Sequence, residues 1–320
     1  MVNNNGINNK AVYDLIDRQL AVWQQAKDNF EALSGVGVKE VTVGGFPVKI
    51  QFNPARIVSS AAKVDPKTIK ERKCFLCAAN RPAEQVAGDA LGMLELLVNP
   101  YPILPMHFTL PSKVHAPQLL LPMYADMLNL AEKWQGVALF YNGAKCGASA
   151  PDHAHLQAVR SADIPLLKAI ATGEFVMGAP QCGTDEALLY SVSGYVVPFF
   201  MITSATVSHS LELLARLLAA MPLVDGEAEP RMNVISYSPA DGGYVTVVMP
   251  RAKHRPDCYY AEGAAGRLVS PGALDMAGLV VTPRECDFET ITADEAAAML
   301  REVAMPQNIV DAVLDELKSK

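Results

Sequence analysis

Between Gly143 and Gln157 the chain reads Gly-Ala-Lys-Cys-Gly-Ala-Ser-Ala-Pro-Asp-His-Ala-His-Leu-Gln, and no other stretch restricts the fold so strongly. Small residues dominate its first half, so the backbone there can turn tightly and bring N–H groups close to an anion. The second half, His153-Ala-His155-Leu-Gln157, sets polar residues at every second position. Successive side chains of a strand alternate faces, which predicts that all three point the same way from a sheet. A pair of histidines at this spacing also fits a plain polar face. A neutral imidazole beside an anion cradle would be a nucleophile for phosphorus, because its reference pKa of about 6.5 leaves it largely uncharged at neutral pH.

Half of the 320 residues are hydrophobic and only 19% are charged, which suits a well-buried globular chain of one large or two medium domains. The net charge of −7 argues against a general nucleic-acid binder, whereas a small phosphorylated ligand needs only local donors. The segment Met1–Lys10 is polar and lacks the apolar core of a signal peptide. The most apolar helix-like segment, Leu211 to Val224, is interrupted by Arg216 and Pro222, so no membrane partner is expected and a cytoplasmic protein is. In that compartment the six cysteines serve as thiols or metal ligands rather than as a disulfide framework.

The apolar spacing predicts a helix over 11–33 and a hairpin over 41–52 about Gly44-Gly45. Residues 53–73 read as loop, with a short helix over 66–73. Strands follow at 94–99 and 108–110, then a helix over 118–134, then strands at 137–141 and 153–159. Residues 161–190 form a weakly patterned bridge. The second half repeats a similar grammar: a strand at 195–202, a helix at 211–221, a hairpin pairing 232–237 with 244–249, and two short helices split at Pro306. The fold class is therefore α+β, with a degenerate internal repeat of an antiparallel sheet unit and its packed helices.

Cys74-Phe-Leu-Cys77 has the spacing of a metal knuckle, which supplies half of a tetrahedral site. His107, His115, His153 and His155 are candidates for the other half. A redox dithiol or two unrelated thiols are the rival readings, but a redox pair normally opens a helix after a strand, and here charged Lys70–Lys73 precedes it.

Taken together, the motifs resemble the histidine-triad superfamily, in its branch of galactose-1-phosphate uridylyltransferases, diadenosine tetraphosphate phosphorylases and GDP-hexose phosphorylases. His153-Ala-His155-Leu-Gln157 is similar to that branch's H-x-H-x-Q, and Cys74–Cys77 to the uridylyltransferase zinc knuckle. Asn99-Pro-Tyr101 is similar to a strand end that contacts the nucleoside, and His107–His115 to the strand-then-histidine segment. Asn142 and Gly147-Ala-Ser149 match a phosphate-contacting stretch. The second half resembles phosphorylase members more loosely, through Pro250–Pro256 and Ser270–Gly278. Asn53-Pro-Ala-Arg56 resembles an uncharacterised bacterial branch. Ala154 stands where uridylyltransferases have proline, and the knuckle lies nearer to His115 in sequence.

The resemblance implies two histidine-triad-like sheet units: residues 1–180 carrying the site and the knuckle, and residues 181–320 as the degenerate half. It implies that His155 is the nucleophile, with Gln157 and Ser149 also catalytic. Asn99, Tyr101, Asn142, Gly147 and Ser149 would bind substrate. Cys74, Cys77, His115 and His153 would hold a structural Zn2+. The expected activity is nucleotidyl transfer or phosphorolysis at the α-phosphate of a nucleoside di- or polyphosphate compound, through a nucleotidyl-histidine intermediate. The expected partners are a nucleotide or nucleotide sugar, a phosphate or sugar-phosphate acceptor, and a second copy of the chain in a homodimer. A hydrolase using water, or a zinc-stabilised nucleotide-binding module, would share these motifs. His107, among apolar neighbours, reads as a packed histidine. His254, in Arg251-Ala-Lys-His-Arg255, fits either a solvated basic turn or the mouth of a phosphate site.

Overall fold

A computed structural model describes residues 10–175 and 178–319. Most of the Met1–Lys10 segment thus lies outside the described residues. The chain opens with α1 (Lys10–Val22) and α2 (Gln24–Ala32) where one continuous helix was predicted. Trp23 interrupts the helix with φ −121° and ψ 96°. The reason is tertiary: α1 sends Val12, Leu15 and Ile16 into one core, and the extended residue turns α2 away while the indole itself becomes buried. The hairpin β1 (Gly37–Val43) and β2 (Phe46–Phe52) forms as its glycines demand, with Gly44 and Gly45 both at positive φ.

The short helices α3 (Ile57–Ser60) and α4 (Pro66–Glu71) follow, then strands β3 (Ala87–Asp89), β4 (Glu95–Val98) and β5 (His107–Pro111). Helix α5 (Leu121–Lys133) leads to β6 (Val137–Asn142) and β7 (His155–Arg160). The stretch expected to be an unpatterned bridge contains α6 (Pro165–Ala171), β8 (Cys182–Thr184) and β9 (Ala187–Val192). The next strand, β10, runs over Phe199–Ser204, shifted from the expected 195–202, because Tyr195 and Val197 pack in loop conformation into the core instead. Helix α7 (Val207–Ala220) and the strands β11 (Met232–Tyr237) and β12 (Tyr244–Pro250) lie close to their expected positions. The chain ends with α8 (Ala273–Met276), β13 (Leu279–Thr282), α9 (Glu285–Thr290), α10 (Ala293–Val303) and α11 (Gln307–Ser319), with Pro306 between the last two.

Ten strands form one sheet in the order β3-β4-β5-β7-β6-β11-β12-β10-β9-β8. Read from either edge the order is the same: β3, β4, β5, β7, β6 in the first half and β8, β9, β10, β12, β11 in the second. Helix α5 occupies the place after β5 that α7 occupies after β10. This is the expected repeat of an antiparallel unit, and the antiparallel β6–β11 ladder makes the two units continuous. On one face β12 carries Val245, Val247 and Met249, whereas β7 presents His155, Gln157 and Val159 there, so this strand of the second unit carries no polar residue on that face.

One face of the sheet is covered by α1, α5, α7 and α11, through residues such as Leu15, Met127, Leu214 and Val313. Each fully buried side chain of this size contributes roughly 1.5–3 kcal/mol. The other face meets the small sheet β1-β2-β13, in which β13 pairs parallel to β2, together with α6, α8 and α10. That covering is incomplete above β4, β5 and β7, and the gap is the cavity described next. No helix among the described residues is long and apolar enough to cross a membrane.

Candidate active site

A cavity of about 370 Å³ opens on the second face. Its floor follows the register Leu97–Thr109–Gln157 across β4, β5 and β7. Asn99, Tyr101, Asn142, Gly147, Ser149, His155 and Gln157 all line it, so the residues expected to bind substrate and to do chemistry meet in one place. From β4 to β6 is three strand spacings of ~4.8 Å, about 14 Å of floor with His155 between its ends.

The first residue of β7 is His155. The β6–β7 ladder stops at Phe140 and Gln157, and Gln118 bridges the two strands beyond it: its Oε1 accepts from the His155 N–H at 2.7 Å and its Nε2 donates to the His155 carbonyl at 3.0 Å and the Asn142 carbonyl at 2.9 Å. The imidazole Nδ1 sits 2.8 Å from the His153 carbonyl, which can only accept, so Nδ1 carries the hydrogen and Nε2 keeps its lone pair. Burial lowers the His155 pKa to about 4, so the ring is neutral at pH 7.

The amide of Gln157 is oriented by a histidine that the sequence marked only as packed. The Ile103 N–H donates to His107 Nδ1 at 3.0 Å, so His107 Nε2 is the protonated nitrogen and donates to Gln157 Oε1 at 2.9 Å. Burial, with Arg56 close by, lowers His107 to about 3 and keeps it neutral. The NH2 end of Gln157 is what remains for the cavity, a hydrogen-bond donor next to His155. Gln157→Glu replaces that donor with a carboxylate, and any transfer of a phosphoryl-bearing group to His155 is expected to slow by about 10²-fold or more. Rapid-quench measurement of the variant checks this.

The loop from Gly143 to Ala150 leads from β6 toward β7. Gly147 has φ +96°, and a Cβ there would meet Gly272 Cα at 2.8 Å and the Pro271 carbonyl at 2.9 Å, so the position requires glycine. Asn142 Oδ1 accepts from Ala273 N–H at 2.7 Å and Asn233 Nδ2 at 2.9 Å, which ties this loop to the second half. Fully buried Arg251 supports the tie through Asn233 Oδ1 and the Pro271 carbonyl.

Two charged residues of the cavity were not singled out from sequence. Arg56 donates to the Tyr101 carbonyl at 2.7 Å, and burial lowers its pKa to about 10 with Asp275 opposing the shift. Asp275 accepts from Gly272 N–H at 2.8 Å and Val281 N–H at 2.9 Å, and burial pushes it up to about 6. The only sequence signals were the short segments Asn53–Arg56 and Ser270–Gly278 that contain them. Asn99 accepts from the Tyr101 N–H and donates to Thr109 Oγ1, and Tyr101 Oη accepts from Gln25 Nε2, so both are fixed in the wall. His254 does not line the cavity; its ring is buried, with Lys145, Arg251 and Arg255 near it.

His153 does not share the strand of His155 and Gln157, contrary to the alternation read from sequence. The chain turns at Pro151–His153, and β7 begins only at His155. The turn sends His153 Nδ1 to within 3.3 Å of Cys74 Sγ and 3.5 Å of Cys77 Sγ. His115 Nδ1 lies 3.2 Å from Cys77 Sγ. The ligand atoms of Cys74, Cys77, His115 and His153 all lie within 4.8 Å of one another, a group that can hold a metal ion. His153 Nε2 donates to the Ser112 carbonyl at 2.8 Å, which leaves Nδ1 as the ligating nitrogen. Burial raises the Cys74 thiol, but the His153 contact and the knuckle N–H groups outweigh it and bring the thiol to about 6.

By its topology the chain has a two-unit fold that is similar to that of the yeast phosphorylase structures described next. Residues 15–160 match the family described as a domain of unknown function, DUF4922. The yeast Ap4A phosphorylase Apa2 is similar with a TM-score of 0.55 at 17% identity, over 89% of this chain and 94% of that one. Its complex with Ap4A gives 0.52 at 15% identity, over 89% and 98%. An ADP-glucose phosphorylase from Arabidopsis thaliana is similar more loosely, with a TM-score of 0.36 at 14% identity over 84% and 100%. No curated protein matches the sequence.

Proposed function

We propose that the chain is a nucleotidyl-transferring phosphorylase that works through a covalent nucleotidyl-His155 intermediate. The observation that carries the reading is the Nδ1 bond of His155 to the His153 carbonyl, which presents the lone pair of Nε2 on a neutral, desolvated ring. The fold it shares with an Ap4A phosphorylase supports the same reading.

In the first half-reaction His155 Nε2 forms a bond to the α-phosphorus, and the bond from that phosphorus to the bridging oxygen breaks. The leaving group departs with the electron pair. In the second, an oxygen of orthophosphate attacks the same phosphorus and the P–N bond breaks, which restores the imidazole. Gln157 Nε2, the Ser149 hydroxyl and the Arg56 guanidinium line the cavity where charge builds on the phosphoryl oxygens, and they stabilise it there. Apolar lining residues such as Trp23, Pro82, Leu97 and Pro100 supply the surface that takes the nucleoside. Phosphate is favoured over water as acceptor because Gln157 stands where a third histidine would serve a hydrolase.

The thiolate and imidazole donors at Cys74, Cys77, His115 and His153 suit Zn2+. Four protein ligands leave no open position, so the ion would fix the knuckle and the turn before β7 rather than touch substrate.

The test is to incubate the purified protein with nucleotides labelled at the α-phosphate and look for acid-labile, base-stable label on the protein. If adenosine, guanosine and uridine di- and polyphosphate compounds all leave the protein unlabelled, the reading fails. The pH dependence is a separate expectation. Since burial holds His155 at about 4, the nucleophile stays neutral as pH falls through 6.5 and protonates only near its own value. Single-turnover labelling should therefore keep its rate down to roughly pH 5 and fall below it, with no step near 6.5.

A further inference from the structure

Gln118 is 1% exposed and does not line the cavity, yet it bonds to both strands that flank the reacting centre. The β6–β7 register pairs Phe140 with Gln157, and continued two residues further it sets Asn142 opposite His155. Hydrogen-bonded pairs of an antiparallel ladder exchange N–H and C=O directly. Here the Gln118 carboxamide stands between the two residues instead. Its Oε1 accepts from the His155 N–H at 2.7 Å, and its Nε2 donates to the Asn142 carbonyl at 2.9 Å and to the His155 carbonyl at 3.0 Å. Both hydrogens of the amide nitrogen are thereby used.

The backbone of Gln118 is held as well. Its N–H donates to the Pro151 carbonyl at 3.3 Å, and its carbonyl accepts from the Tyr141 hydroxyl at 3.1 Å. The nearby Ala116 carbonyl accepts from the Ala154 N–H at 2.7 Å. A side chain on so fixed a backbone is a spacer of set width. Asn142 is where the loop that carries Gly147 and Ser149 leaves β6, and His155 is where the chain enters β7. A direct bond from the His155 N–H to the Asn142 carbonyl would satisfy the same two backbone groups. It would also draw the strand ends together and narrow the space between Asn142, Ser149 and His155, which all line the cavity. Backbone satisfaction alone therefore does not call for the amide, whereas an open centre does.

We propose that Gln118 is a positioning residue for nucleotidyl transfer, and that its interposed carboxamide sets the separation between His155 and the loop over residues 143–150. The proposal rests on the transfer reaction inferred above and leaves its bond changes as they are. Loss of the amide should cost rate more than stability, because the ladder can close in its place.

The test uses the full chain as purified with its metal. The probes are α-labelled ADP, GDP and UDP, and single-turnover labelling is followed with the one that labels the wild-type protein fastest. Gln118→Met keeps the length of the side chain and removes the amide. Its maximal labelling rate is expected to fall by about 10²-fold, while the half-saturating nucleotide concentration changes by less than about threefold. Gln118→Glu keeps the shape, but as a carboxylate it turns an acceptor toward two carbonyls. Once protonated, it again accepts from the His155 N–H and donates to one carbonyl. Its labelling rate, relative to wild type, should therefore rise at least about tenfold as pH falls from roughly 8 to 6. Glu229, bonded to Tyr141 and pushed up by burial to about 7, titrates in both proteins, so the wild-type profile is the control. The same recovery decides the matter if Gln118→Met does not fold. A wild-type maximal rate in Gln118→Met, or a Gln118→Glu profile parallel to wild type, overturns the positioning role, while label on the wild-type protein leaves the transfer reaction standing. Wild-type protein that takes no label from any of the three probes overturns both.

Discussion

The His155→Ala variant should form no covalent nucleotidyl adduct, and its turnover should fall by on the order of 10⁴-fold or more. The effect is large because no neighbour can take over. His107 is bonded at both ring nitrogens, to Ile103 N–H and Gln157, and His153 is directed to Cys74 and Cys77. The fold should survive. The support from Gln118 goes to the backbone of residue 155 and not to its ring. The one protein bond lost is that of Nδ1 to the His153 carbonyl, at the edge of a cavity that water can enter, which costs about 1–2 kcal/mol. Circular dichroism and mass spectrometry of the adduct give the two readouts together. Persistence of label on the variant, at any site that turns over, would remove His155 from the mechanism.

Stripping the metal should have the second-largest effect, and on stability rather than on chemistry. The knuckle, His115 and the turn before β7 join three separated segments through a small apolar contact of Cys74, Leu76 and Ala150. So few buried groups cannot hold those segments alone. Loss of the ion should therefore release a large share of the binding energy as lost folding energy, with Tm falling by more than about 10 °C. The same fall is expected for Cys74→Ser without chelator. Elemental analysis of the purified protein should find zinc in equimolar amount. A chelated protein with unchanged Tm and no bound metal would show that the four side chains are only neighbours.

Some of this was legible in the sequence because it is local. Gly147, Ser149, His155 and Gln157 lie in one short segment, and the Cys74–Cys77 spacing by itself supplies half of a metal site. The hairpin at Gly44-Gly45 and the break at Pro306 are likewise written in adjacent residues. What stayed hidden depends on distant partners. His107 gains its task only because the β5–β7 register sets Thr109 opposite Gln157 and the loop at Ile103 folds back over the ring. Asp275 reaches the cavity because β13 pairs with β2, far away in sequence, and no periodicity foretells a parallel pair of that separation. Trp23 obeys the helical period in sequence and breaks it in space, where two packing surfaces compete for one helix. The turn that carries His153 off β7 shows the limit of an alternation argument, because alternation holds only where a strand has begun.

The junction of β6 with β11 has a consequence for the ancestry of such a chain. A lone five-strand unit would end in a bare ladder of N–H and C=O groups, and the natural mate for that edge is the same edge of another copy. Fusion places the mate in the same polypeptide and keeps the edge satisfied at any protein concentration. Once the pairing is guaranteed, the second unit need not keep polar residues on that face. Its valines on β12 pack there, and its loops furnish walls for the one cavity described.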